Sequence, residues 1–169
     1  MQYNCYIYNA SRYNHSMARY KRIFLDGYSY FLTVVTHRRL PILIENIELL
    51  REGFRESKHY YSYRIDAIVV LPDHFHIIIT PEKSTDYPHI IKAVKYNFSK
   101  HYHPEKCNDP EQSASRHKRG LRAIWQKRYY EHTIRDEKDL LRCLEYMRHN
   151  PVKHRYVAYE NDWQYSSFH

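Results

Sequence analysis

The stretch Leu71-Pro72-Asp73-His74-Phe75-His76-Ile77-Ile78-Ile79-Thr80 follows directly on the apolar run Ile65-Asp66-Ala67-Ile68-Val69-Val70. Both runs are rich in β-branched residues and a Pro-Asp pair separates them, so the sequence predicts two strands joined by a tight turn. Side chains alternate between the two faces of a strand. His74 and His76 are therefore expected on one face, with the intervening Phe75 on the other.

Two imidazoles side by side on a sheet have a spacing that can bind one divalent metal. A lone His-x-His pair is equally compatible with two histidines that only make hydrogen bonds at the end of a strand. The pair therefore needs other candidate ligands before it indicates a metal site.

The segments around this hairpin predict an α+β fold. A first strand is predicted at 28–36 and a fourth at 123–134, with helices at 44–58, 87–103 and 136–150. This order is the split βαβ pattern of ferredoxin-like and RNA-recognition (RRM-like) folds, with a four-stranded antiparallel sheet and helices on one face. The other face is expected to be open to ligands, and a C-terminal helix carrying Tyr146 follows. We expect a basic N-terminal arm at 1–22 and a single catalytic domain at 23–169.

The composition favours a nucleic-acid partner. The chain has 169 residues, a formal net charge of +8 and 19 tyrosines. Cations attract phosphates, and aromatic rings among cations suit unpaired bases, although a generally basic surface is the simpler alternative. The residues predicted to contact DNA are Arg12, Arg19, Arg116, Lys118, Arg119, Arg122, Lys127, Arg128 and Arg135.

The cysteines argue against a disulfide framework. Cys5, Cys107 and Cys143 are odd in number and far apart, and no Cys-x-x-Cys motif occurs. There is no signal peptide and no apolar run of membrane-spanning length, so we expect a cytoplasmic protein without membrane contact.

The predicted C-terminal helix offers more polar groups. Its apolar stripe is expected at Leu140, Leu141, Leu144 and Met147. At about 100° per residue, Tyr146 lies off that stripe and Asn150 follows on the same face one turn later. The alternative is an exposed tyrosine and an asparagine that ends the helix before Pro151.

These groups together suggest a reaction. A metal held by two imidazoles and an amide oxygen keeps positions open for phosphate oxygens. A phenol such as that of Tyr146 can then attack the phosphate and form a covalent intermediate. The sequence identifies no general base, and Asp139, on the same helix face, is only weakly placed for that role.

The same residues carry a family resemblance. The motif His74-Phe75-His76 resembles the His-hydrophobic-His motif of the HUH single-strand nucleases, and Tyr146 with Asn150 resembles the single-tyrosine transposases of the IS200/IS605 type. Three blocks, at 125–135, 146–153 and 162–167, resemble the REP-associated tyrosine transposases.

The resemblance implies a site-specific single-stranded DNA endonuclease and strand transferase that depends on a divalent metal, Mg or Mn. Tyr146 would form a 5′-phosphotyrosine bond. His74 and His76 would bind the metal, with Asn150 as third ligand. The implied partner is single-stranded or hairpin DNA with REP-like repeats, and the protein would be a monomer or a homodimer.

Three further residues are assigned supporting roles. Glu131 and His132 lie in one of the matching blocks, and Asp139 shares the helix face of Tyr146. All three are expected near the site as neighbours of the residues that carry the reaction.

Two other functions remain open. One is a non-catalytic, RRM-like protein that binds single-stranded nucleic acid and needs neither the metal nor the tyrosine. The other is a small phosphodiesterase that uses His74 and His132 as its catalytic pair, which leaves Tyr146 and Asn150 without a role.

Overall fold

A computed structural model describes residues 22–103 and 124–168. Its helices and strands are β1 (Tyr30–Val35), α1 (Ile47–Lys58), β2 (Tyr63–Val70), β3 (His74–Pro81), α2 (Tyr87–His101), β4 (Tyr130–Thr133) and α3 (Glu137–Lys153). The predicted arm, apart from Arg22, lies outside the described residues. So do the predicted DNA contacts at Arg12, Arg19, Arg116, Lys118, Arg119 and Arg122.

The four strands form one antiparallel sheet in the order β2-β3-β1-β4. This confirms the predicted α+β fold with a split βαβ arrangement. The turn between β2 and β3 is closed by the Leu71 amide, which donates to the His74 carbonyl oxygen at 2.8 Å. Because β3 is a central strand, the first residues of β3 lie in the middle of the sheet rather than at its edge.

The two faces of the sheet are both covered. On one face Phe75, Ile77 and Ile79 pack with α1 and α2 in the main core. On the other face, Ile78 packs with Met147 of α3 in a second cluster. The prediction of an open face is therefore wrong, because α3 lies across it.

The buried stripe of α3 matches the predicted one except at Leu141, which is 54% exposed. Met147 is buried, and Leu140 and Leu144 pack against the same cluster. Cys143 and Asn150, which the prediction did not include, are buried as well. The helix also continues through Pro151 to Lys153 instead of ending at Asn150. Proline lacks an amide donor and normally breaks a helix, but Pro151 is buried, and packing offsets that penalty.

Strand β4 is shorter than the predicted 123–134. Trp125 still forms an isolated bridge to Thr36, while Tyr130 pairs with Thr33. Between these two pairs the chain advances five residues on the β4 side but only three on the β1 side. The extra residues therefore form a bulge. Such bulges are common at the edge of a sheet.

The C-terminal segment covers the free edge of β2. The Val70 amide donates to the Tyr165 carbonyl oxygen at 2.8 Å, and the Ser167 amide donates to the Ile68 carbonyl oxygen at 2.9 Å. An exposed strand edge can pair with other chains, and this segment satisfies its backbone groups internally. None of the helices in the described ranges is both long enough and apolar enough to cross a bilayer.

Candidate active site

The His pair lies at the start of β3 on the face covered by α3. His74 and His76 are 4% and 2% exposed, and their ring centroids are 4.9 Å apart. The pairing register sets His74 opposite Val35 and His76 opposite Thr33 on β1. Strand alternation therefore brings the two imidazoles together as the sequence predicted.

Neighbouring side chains position His76 but leave one of its ring nitrogens without a hydrogen-bond partner. Its Nδ1 lies 2.8 Å from the Thr33 hydroxyl, and its ring stacks on Phe31 at 5.6 Å. Its Nε2 is buried and has no hydrogen-bond partner. Burial, followed by the charges of His74 and His154, holds the pKa of His76 well below its usual value. The imidazole is therefore neutral at physiological pH, as a metal ligand must be.

His74 is oriented through its other nitrogen. Its Nδ1–H donates to Asp73 Oδ1 at 2.6 Å, and Asp73 Oδ2 accepts from the Arg39 guanidinium at 2.8 Å. Burial raises the pKa of Asp73, but the His74 and Arg39 interactions outweigh it and lower the pKa to about 2. A carboxylate that fixes one ring nitrogen leaves the other free for a ligand, which is the usual arrangement behind a metal-binding histidine.

The turn that carries Arg39 has an unusual backbone. Both Arg38 and Arg39 have a φ of 53°, in the left-handed region that non-glycine residues rarely occupy. The Thr36 hydroxyl lies 2.9 Å from the carbonyl oxygens of both Leu40 and Asp73, which ties this turn to the turn before β3. Such conformations cost about 1–3 kcal/mol each and tend to cluster at functional sites.

Tyr146 of α3 lies beside His76. Its ring centroid is 5.1 Å from that of His76 and 6.0 Å from that of Phe31. The ammonium of Lys153 lies 5.5 Å from the centre of the Tyr146 ring. A phenol, a cation and two imidazoles of the same chain therefore meet in one place.

Asn150 supplies the remaining polar group. The residue is fully buried, and neither Oδ1 nor Nδ2 has a hydrogen-bond partner. The Asn150 side chain lies close enough to His76 to raise the pKa of that ring, but the larger effect of burial lowers this pKa. Buried polar atoms normally have partners, so the free Nε2 of His76 and the free Asn150 amide fit a missing ligand. Two imidazoles and one amide oxygen are suitable donors for a divalent metal.

His132 and Asp139 are close to the site but bind each other. His132 Nε2–H donates to Asp139 Oδ2 at 2.8 Å, and the Arg135 amide donates to the same oxygen at 3.1 Å. Together with Cys143 they bring three potential metal-ligand atoms within 4.8 Å of one another. Burial raises the pKa of the Cys143 thiol to about 11. The direct contacts indicate that the His132–Asp139 pair fastens the start of α3 to β4.

Glu131 is not a neighbour of the His pair, and that prediction is wrong. Its register partner is Leu32, whose side chain belongs to the core beneath α1 and α2. Glu131 accepts hydrogen bonds from the Tyr87 hydroxyl at 2.9 Å and from the Arg22 guanidinium at 3.0 Å. It therefore supports the opposite face of the sheet.

The predicted DNA contacts that the structure describes lie at the surface near β4. Lys127 and Arg128 are exposed, and the Arg135 side chain is 71% exposed while lying 3.6 Å from Asp139. All three are accessible to a partner, but none of them touches the His pair.

Four residues near the His pair were missed by the sequence prediction: Arg39, Lys153, His154 and Tyr156. Lys153 and His154 follow Tyr146 and Asn150 by whole helical turns, so helical periodicity would have found them had the helix not been ended at Pro151. Arg39 and Tyr156 reach the site from a left-handed turn and from the C-terminal segment, which leave no periodic signal.

Comparisons with known proteins indicate the family of this chain. The family described as "Transposase IS200 like" matches residues 25–150. A REP-associated tyrosine transposase of Haemophilus influenzae is 37% identical over 90% of this chain and 86% of the relative, and one of Escherichia coli K12 is 34% identical over 90% and 84%. The solved structure of a REP-associated tyrosine transposase bound to a REP hairpin covers 90% of this chain and 84% of that chain, with a TM-score of 0.73 and 33% identity.

Proposed function

Since this chain belongs to the IS200-like transposases, and within them to the REP-associated tyrosine transposases, we propose that it cuts and rejoins single-stranded DNA beside hairpins. The nucleophile is the phenol of Tyr146. His74, His76 and Asn150 bind the divalent metal, Mg or Mn, on which the reaction depends.

One observation carries the proposal. The ring of Tyr146 lies 5.1 Å from the ring of His76, whose buried Nε2 has no partner. A purely binding protein has no need for an unsatisfied imidazole in its interior, because an unpaired buried polar atom destabilises the fold by about 1–3 kcal/mol. A ligand that accepts the His76 and Asn150 lone pairs removes that cost.

Neighbouring side chains orient the two imidazoles for metal binding. Asp73 fixes the tautomer of His74, and Thr33 faces Nδ1 of His76, so Nε2 is the nitrogen that each ring keeps for a ligand. When bound, the metal acts as a Lewis acid that polarises the scissile phosphate. The low pKa of His76 keeps its lone pair available even in mildly acidic solution.

The bond changes of the proposed step balance without a co-reactant. The phenol oxygen of Tyr146 attacks phosphorus, the bond from phosphorus to the 3′ oxygen breaks, and a 5′-phosphotyrosine forms. The phenol proton leaves and the departing 3′ oxygen takes up a proton as a hydroxyl. A 3′-hydroxyl attacking the same phosphorus reverses the step and rejoins the strand, so the energy of the phosphodiester bond is retained.

Lys153 acts on the charge that develops during this step. Its ammonium lies 5.5 Å from the centre of the Tyr146 ring. A fixed cation here stabilises the phenolate as its proton leaves and the phosphate as it gains charge. An ordinary phenol has a pKa near 10, so such help matters at neutral pH.

The proposed partner is hairpin DNA with single-stranded flanks. A related transposase is known bound to a REP hairpin, and this chain carries a net charge of +8. Phosphate contacts from exposed cations such as Lys127, Arg128 and Arg135 would supply affinity, while the residues around the His pair carry the chemistry.

A covalent-capture experiment tests the proposal. The protein is incubated with end-labelled hairpin DNA bearing single-stranded flanks and Mn²⁺ or Mg²⁺, next to the Tyr146→Phe variant and a reaction with excess EDTA. We expect a denaturation-resistant protein–DNA adduct only with wild-type protein and metal. Cleavage that persists in Tyr146→Phe would indicate a phosphodiesterase instead, and binding without any cleavage would indicate a non-catalytic nucleic-acid binder.

A further inference from the structure

Aromatic rings extend from the His pair along the C-terminal segment. The ring of His154 lies 5.5 Å from that of His74, and the ring of Tyr156 lies 6.0 Å from that of His154 with the two planes 22° apart. Trp163 continues the series at 5.4 Å from Tyr156, with the planes 29° apart. The three rings therefore form an offset column whose first member adjoins the His pair. With centroids 5.4 to 6.0 Å apart, neighbouring rings overlap only in part, which leaves part of their faces uncovered.

The column is held firmly at its far end and accessible at its near end. Trp163 Nε1–H donates to the Val70 carbonyl oxygen at 2.9 Å, and the Tyr156 amide donates to the Pro151 carbonyl oxygen at 3.0 Å. Yet Tyr156 is 43% exposed, and His154 is exposed as well. A fixed aromatic surface open to solvent is suited to binding another flat ring.

A cation lies near the exposed end of the column. The Arg39 side chain is 49% exposed, and its charge acts on Tyr156 and His154. In the described part of the chain, the non-glycine residues with left-handed backbone are Arg38, Arg39 and Arg155. Arg39 lies at this end of the column, and Arg38 precedes it in the sequence. Arg155 stands between His154 and Tyr156. Strained backbone persists only where the surroundings enforce it, and strain gathered at one place is an independent indication of a functional surface.

We propose that His154 and Tyr156 form a stacking platform for an unpaired nucleobase of the DNA strand beside the phosphate that is cut, and that Arg39 contacts the backbone of that nucleotide. This inference rests on the proposed function, since it places the base next to the His pair. Aromatic faces combined with cations suit single-stranded nucleic acid, because the bases of a closed duplex do not expose their faces. The platform thus favours single-stranded DNA at the site of cleavage.

Photocrosslinking and binding together test the platform. The probe is a dT12 oligonucleotide carrying one 5-iodouracil, which crosslinks to aromatic rings that it contacts; the Tyr146→Phe background keeps the DNA intact. The variants are Tyr156→Leu, which removes the ring, and Tyr156→Phe, which keeps it. Tyr159→Leu is the matched control, since Tyr159 is 74% exposed and lies three residues further on.

We expect crosslinks at His154 or Tyr156 by peptide mass spectrometry. We also expect dT12 to bind about tenfold more tightly than an abasic strand with the same phosphates, since stacking contributes substantially per base. Tyr156→Leu should remove most of this preference, whereas Tyr156→Phe and Tyr159→Leu should retain it. Crosslinks confined to other segments, or an undiminished preference in folded Tyr156→Leu, would overturn the platform.

Two further measurements keep the outcome interpretable. Circular dichroism and the thermal midpoint establish whether Tyr156→Leu is folded, and His154→Ala provides a second variant that leaves the Trp163 contacts in place. The Tyr146 adduct is measured separately on wild-type protein. An adduct without crosslinks at the column disproves only the platform, whereas crosslinks without an adduct support the platform and contradict the proposed cleavage reaction.

Discussion

The ring of Tyr146 on α3 lies 5.1 Å from the ring of His76 on β3, within one chain. The two residues are seventy positions apart in sequence and meet because α3 crosses the sheet face that carries the His pair. Nucleophile and metal ligands of the proposed site are therefore complete without a residue from a second subunit.

Mixing two inactive variants tests this arrangement. Tyr146→Phe and His76→Ala each remove a different part of the site, so a site built within one chain stays inactive when the variants are mixed in equal amounts. We expect no adduct from the mixture at any protein concentration. Recovery of about a quarter or more of wild-type activity would show instead that subunits exchange α3 in a dimer.

Removing one imidazole should separate binding from cleavage. His76→Ala is expected to abolish adduct formation and to leave the dissociation constant for hairpin DNA within about threefold, because phosphate contacts dominate affinity. Gel shift and adduct assays measure the two properties. His149→Ala is the matched control, since His149 is 60% exposed on the same helix as Tyr146. Equal losses of binding and cleavage in His76→Ala would contradict this separation of DNA binding from catalysis.

The Asp73–His74 hydrogen bond should matter for metal affinity. Asp73→Asn keeps the shape of the side chain but weakens its hydrogen bond to His74. Removal of the group that orients a metal-binding histidine typically lowers metal affinity by about 10–100-fold. Titration of Mn²⁺ followed by electron paramagnetic resonance measures this affinity without any reaction. Asp86→Asn, at the start of α2, should bind Mn²⁺ like wild type. Unchanged affinity in Asp73→Asn would exclude the proposed orienting role.

Lys153 should affect the chemical step more than binding. Lys153→Gln removes the charge near Tyr146, and we expect single-turnover adduct formation to slow by about tenfold or more while hairpin affinity changes little. Lys138→Gln, an exposed position at the start of α3, serves as the control. A normal adduct rate in Lys153→Gln would show that the cation has no part in activating the phenol.

The buried neutral His76 should make the metal-free protein sensitive to acid. Its pKa in the folded state lies well below the ordinary 6.5. As the pH falls below 6.5 the unfolded chain gains a proton that folded His76 does not, so this residue's contribution to stability decreases. Urea unfolding at pH 7.5 and 5.5 should show a larger loss for wild type than for His76→Gln. Equal losses would mean that His76 titrates normally in the fold.

Local patterns were enough to predict the His pair. Strand alternation alone places His74 and His76 on one face, and the order of predicted segments gives the split βαβ sheet. The predictions that failed depended on long-range packing. Leu141 belongs to the predicted helical stripe but is 54% exposed, whereas Met147 of that stripe is buried in one cluster with Cys143, which the prediction did not include.

Two other errors have local causes. The bulge between Trp125 and Tyr130 breaks the pairing of β4, so sequence alternation could not decide which face Glu131 occupies. Pro151 suggested a helix end, but the residue is buried and the helix continues to Lys153. The prediction therefore missed Lys153 and the residues after it.

The most direct test of the account locates the DNA on the protein. After reaction with hairpin DNA and Mn²⁺, nuclease and protease digestion leave a nucleotide on whichever of the 19 tyrosines attacked. Mass spectrometry should find a 5′-phosphotyrosine at Tyr146, together with a free 3′-hydroxyl on the released strand. A nucleotide on any other tyrosine, or cleavage that leaves every tyrosine unmodified, would contradict the central claim.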